Sequence, residues 1–126
     1  MQTSNFKISG NNPNAVAISR GIPVWYKGKR LIELAPSRAL MSVKDDQEYN
    51  RRYQSEVLAK LDSIEILSEL DENAILLCWE KPGEPCHRRL VAEWLEREQG
   101  IVVPELEQKP RAVQSQLDMD MRQRSQ

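Results

Sequence analysis

Hydrophobic positions along the chain fall into short blocks and helical stripes. Ala15-Val16-Ala17-Ile18-Ser19 is a brief apolar run with β-branched residues that ends at Arg20-Gly21-Ile22-Pro23, a pattern that predicts a central strand running into a loop. Ala74-Ile75-Leu76-Leu77-Cys78-Trp79 lies between Asp71-Glu72-Asn73 and Lys81-Pro82-Gly83-Glu84-Pro85. That length and those flanks predict a strand buried on both faces. Between the two runs the period changes. Tyr49, Tyr53, Val57 and Leu61 recur every four residues with Leu58 beside them, and Asp45 and Asp46 precede them where carboxylates cap free N–H groups. A second short helix is predicted over Ser63 to Leu70 from Ile64, Ile66, Leu67 and Leu70. Beyond Pro85, Leu90, Val91, Trp94 and Leu95 mark a third, with Gly100 at its stop.

The remaining segments carry weaker patterns. Gln2 to Ile8 reads as an opening strand followed by the turn cluster Ser9-Gly10-Asn11-Asn12-Pro13. Val24 to Leu34 reads as a hairpin or ordered loop, and Ile101-Val102-Val103 as one more short parallel strand before Pro104. There is no internal repeat. Strands alternating with helices predict an α/β fold, a small three-layer Rossmann-like domain with a mostly parallel sheet over residues 1–105. Residues 106–126 are polar and read as a mobile tail.

Composition narrows the function classes. The chain has 126 residues, 40% hydrophobic and 29% charged, which suits one core. With 18 Lys and Arg against 19 Asp and Glu the net charge is -1, so no global basic field drives polyanion binding and any such contact is local. No run approaches the roughly 20 apolar residues of a membrane helix. MQTSNFKISGNN lacks the basic and apolar regions of a signal peptide, so a cytoplasmic location is expected, with both cysteines as thiols.

Candidate chemistry concentrates where the second strand runs into the third helix. Cys78 stands at the strand's carboxyl end and Cys86 opens the helix, followed by His87, Arg88 and Arg89. Ligands of open α/β sheets collect at the carboxyl ends of strands, and helix starts present free N–H groups to anions. A thiolate there is favoured by the helix dipole and by nearby cations, and the guanidinium of Arg88 suits a carboxylate or phosphate. His87, the single histidine, supplies a proton acceptor near neutral pH. Bland readings compete: Cys78 as a small buried hydrophobe, Arg20 as a solvated or ion-paired residue, and Trp25, Tyr26 and Trp79 as core aromatics. Cations at a helix start oppose the macrodipole, so His87 and Arg88 call for an anion or a carboxylate such as Glu80 or Glu84. Cys78, Cys86 and His87 lack the paired spacing and fourth ligand of structural zinc, so neither metal nor cofactor is expected. The seven-residue gap also departs from a Cys-x-x-Cys pair, although a loop can close it. Gly-rich phosphate loops, Gly-x-Ser-x-Gly elbows and His-Glu-x-x-His helices do not occur.

Leu76 to Lys81, then Cys86-His87-Arg88 and Val91 to Leu95, resemble the hallmark of the bacterial and phage family called domain of unknown function 488. The likeness runs back through Ile18-Ser19-Arg20 with Pro23, Leu34 to Ser37, and Tyr49 with Tyr53. It implies a small α/β domain and aims Arg20 at the same sheet edge as the cysteines, without supplying a reaction. The favoured expectation is an enzyme with an anion-binding pocket for a phosphate-bearing or nucleotide-like ligand. Its catalytic residues would be Cys86 as nucleophile and His87 as base, and its ligand-binding residues Arg20, Cys78, Glu80 and Arg88. Two alternatives are a non-catalytic nucleic-acid or nucleotide module held by Arg20, Arg88 and Arg89, and a partner-binding protein whose tail, with Ala112, Val113, Leu117, Met119 and Met121, orders on association.

Overall fold

The computed structural model describes residues 1–79 and 87–106. Four strands, β1 (Gln2–Asn5), β2 (Ala15–Ala17), β3 (Lys29–Arg30) and β4 (Ile75–Cys78), form one all-parallel sheet in the order β1-β4-β2-β3. The two uninterrupted apolar runs therefore lie side by side at its centre, Val16 opposite Leu76 and Ala17 opposite Leu77. Both are buried on both faces, as runs without alternation require.

Strand alternation divides the core. Val16 and Leu76 point to one face and meet Tyr53, Leu58, Ile66, Val91 and Leu95 from the helices α3 (Asp46–Glu56), α4 (Ser63–Ser68) and α5 (His87–Gln99) and the turn after α3. Ala15, Ala17, Ile75 and Leu77 point the other way into a smaller cluster closed by Phe6 and Tyr26. Phe6 belongs to α1 (Phe6–Ser9), a single turn, so this third layer is thin. Each of these helices whose start is described up to its cap has one: Asn5, Asp45 and Asp62 accept from the N–H of Ile8, Glu48 and Ile64. Ser37 does the same for Leu40 at the start of α2 (Arg38–Met41). Gly100 takes φ +68 after α5, the left-handed stop its position suggests.

Four sequence expectations are corrected. The opening strand ends at Asn5 because its side chain caps α1, drawing Phe6 to Ser9 into a helical turn. Of the two readings of residues 24–34 the hairpin is the one that fails, since Lys29 and Arg30 pair parallel to β2 and a 3₁₀ turn follows at Ile32–Leu34. The stripe through Leu61 is not one helix: α3 stops at Glu56, and Leu58–Lys60 is a 3₁₀ turn. Ile101 to Val103 forms no strand, because the Val103 N–H donates to the Glu96 carboxylate. The chain instead reaches the outer edge of β1 two residues later. There Glu105 bridges Thr3 in parallel, with Thr3 N–H donating to the Pro104 carbonyl and Leu106 N–H to Thr3's own. Leu106 is thus attached to the sheet, while the rest of the expected tail, 107–126, lies outside the described residues. Among the described residues no helix is long and apolar enough to cross a membrane.

Candidate functional site

β2 and β4 are neighbours, so the loops leaving their carboxyl ends emerge together. A cleft of about 240 Å³ opens there, where a parallel sheet directs its ligands. Ser19, Arg20 and Gly21 enter it from the β2 end, Trp79 from the β4 end and His87 from the start of α5. The first turns of α3 add Asp46, Tyr49 and Asn50, and Pro36, Met41 and Val43 complete the wall.

Arg20 is exposed, but its guanidinium is held: Nε donates to the Pro36 carbonyl at 2.7 Å. An Arg30 terminal nitrogen donates to the Arg20 carbonyl at 2.8 Å and fixes the backbone beneath it. Arg20 forms no ion pair among the described residues. Trp79 is pinned similarly, its indole N–H donating to the Gly21 carbonyl at 2.9 Å while its ring packs 5.0 Å from that of Phe6. It stays half exposed on the cleft.

His87 closes the floor. Its Nε2 lies 2.8 Å from the Ile18 carbonyl, which can only accept, so Nε2 carries the proton and Nδ1 the lone pair. Burial pulls its pKa down to about 4; the Ile18 hydrogen bond opposes that shift and the Arg88 charge adds to it. At neutral pH the ring is uncharged, and it is a weaker base than its ordinary value suggests. A neutral ring also removes one of the two cations that were hard to reconcile with the helix start.

Arg88 and Cys78 lie behind the cleft and are not among its lining residues. Arg88 is almost fully buried at 1% exposure, and its Nε and a terminal nitrogen donate to the two oxygens of Glu105 at 3.0 and 2.7 Å. Its other terminal nitrogen donates to Cys78 Sγ at 3.1 Å. Burial alone would raise the Glu105 pKa, but hydrogen bonds from Arg88 and Thr3 and the charges of Arg88 and Arg89 outweigh it and hold the carboxyl below its usual range. Among the described residues the carboxylate that answers Arg88 is Glu105, from beyond the helix. Cys78 is in a disulfide, which corrects the expectation of a free thiol at that position. Glu80, Glu84 and Cys86 lie outside the described residues.

Of the residues singled out from sequence, the cleft gathers Arg20 and His87. It also holds three that were given no site role: Asp46, Tyr49 and Asn50. Helical phase was a signal for all three, since 46, 49, 50 and 53 share a face of α3, and Tyr49 also carried the family likeness, but that phase equally marks core packing. Among the described residues no group of three or more His, Cys, Asp or Glu is placed to hold a metal ion. A family model described as the active DUF488-N3 subclade, DUF488-N3a, matches residues 12–99. No curated protein and no solved structure matches the chain.

Proposed function

The chain belongs to the DUF488-N3a family, described as the active DUF488-N3 subclade, and from that membership and the cleft we propose an enzyme acting on a phosphate-bearing or nucleotide-like small molecule. The observation that carries this reading is Arg20: a guanidinium anchored through Nε, lining a cleft at the carboxyl ends of two central strands and bearing no ion pair among the described residues. A pinned fork with its outer edge turned to solvent is suited to clamping a planar or tetrahedral oxyanion. Asp46, Asn50 and Ser19 supply acceptors and donors around it, and Trp79 and Tyr49 supply flat surfaces. The word "active" in the family description is consistent with catalysis.

In this proposal Arg20 binds the anion and His87, neutral at pH 7, accepts a proton through Nδ1. Cys86, next to His87 in sequence, is the nucleophile in its reduced form. Arg88 acts indirectly, holding Cys78 and the start of α5 in place. The test is two-dimensional NMR of the full chain titrated with ribose 5-phosphate, with reductant present. Shifts confined to residues 19–21, 46–50, 79 and 87, and weakened at least tenfold by Arg20→Ala, are expected. Parallel alkylation of the reduced protein should label Cys86 faster than Cys78, with protection by the same compound. Absence of binding at millimolar concentration, or equal binding by Arg20→Ala, overturns the reading.

A further inference from the structure

The cleft carries an anion as well as a cation. Asp46 and Arg20 both line it, yet neither forms an ion pair with the other or with any described residue. Two opposite charges in one small cleft that do not pair leave each available to a different part of a ligand. Asp46 is followed one turn later by Asn50, so a carboxylate and an amide stand next to each other on α3. That pair offers acceptors and donors side by side, a pattern that reads the edge of a heterocycle. Trp79, locked by Gly21 and Phe6, supplies a half-exposed ring face in the same cleft. At about 240 Å³ the cleft lies near the lower end of the roughly 300–1,000 Å³ range of small-molecule pockets, so the occupant is no larger than a single nucleotide.

We propose that the ligand is a mononucleotide whose base carries an exocyclic amine, with Asp46 accepting from that amine and Asn50 donating to the adjacent ring acceptor while Arg20 holds the phosphate. This rests on the cleft being the ligand site. A carboxylate accepts from the cytosine amine and finds an acceptor where uracil has a carbonyl, so the two pyrimidines separate the idea cleanly. Asp46 is exposed and Asp45, not Asp46, caps α3, so Asp46→Asn leaves the helix start intact.

The experiment titrates the full chain, reduced, with CMP, UMP and ribose 5-phosphate, measuring Kd by calorimetry for the wild type, Asp46→Asn and Arg20→Ala. Expected is a CMP preference over UMP of about tenfold, within the range of one good base-edge pair. Asp46→Asn brings that ratio to about one, while Arg20→Ala weakens CMP and UMP by a similar factor. Equal Kd values for CMP, UMP and ribose 5-phosphate, all weakened by Arg20→Ala, overturn the base assignment and leave the anion site standing. No binding by any of the three overturns both.

Discussion

Replacing Glu105 by Ala removes the only carboxylate described against a guanidinium that is 1% exposed. Arg88 would keep its contact with Cys78 Sγ but lose hydrogen bonds to both Glu105 oxygens, removing their compensation of a buried charge. Breaking a buried pair from one side costs about 3–5 kcal/mol. The Glu105 side chain is 19% exposed, so water partly replaces it and the lower end, about 3 kcal/mol, applies. Against a total stability of roughly 5–15 kcal/mol for a domain this size, that is about a fifth to three fifths. In urea, with an m-value of about 1–3 kcal/mol/M, the midpoint should fall by roughly 1–3 M, read by tryptophan fluorescence at constant disulfide state. Arg88→Met leaves only a partly exposed carboxylate and should cost less. The double variant Arg88→Met/Glu105→Ala should be more stable than Glu105→Ala alone, because no buried charge deprived of the Glu105 carboxylate remains. A shift below about 0.3 M for Glu105→Ala, or strictly additive single effects, would refute the clasp between α5 and the edge of β1.

Two further outcomes follow from the same physics. His87 has a folded pKa of about 4 against an ordinary 6.5, so the unfolded chain binds more protons between those values. Its contribution, about 3 kcal/mol, is full above pH 6.5 and is lost as pH falls toward 4. His87→Gln should flatten urea midpoints over that window, and an unchanged slope would contradict the burial argument. Glu105, held low by Arg88, acts below the usual carboxylate range, so its loss adds at more acid pH. Gly100→Ala should cost about 1 kcal/mol, seen as a lower thermal midpoint; nothing lies within 4 Å of the added methyl, so positive φ alone is responsible. An unchanged midpoint would discount that conformational cost.

What the chain determined by itself was whatever depends on neighbours in sequence. Two uninterrupted apolar runs specify the central parallel pair, Asp45 and Asp62 mark helix starts, and Gly100 marks a stop. That pair, together with the loops after it, was enough to aim Arg20 and His87 at one sheet edge. Tertiary structure decided everything that turns on which side chain meets which across long separations. Arg88 meets Glu105 because the chain after α5 returns along β1, placing residue 105 beside Thr3. Asp46, Tyr49 and Asn50 joined the cleft because α3 packs across the carboxyl ends of β2 and β4, and helical phase alone does not tell a core face from a cleft wall. His87 lost its basic character through burial, and burial is a property of the assembled layers rather than of the residues beside it in the chain.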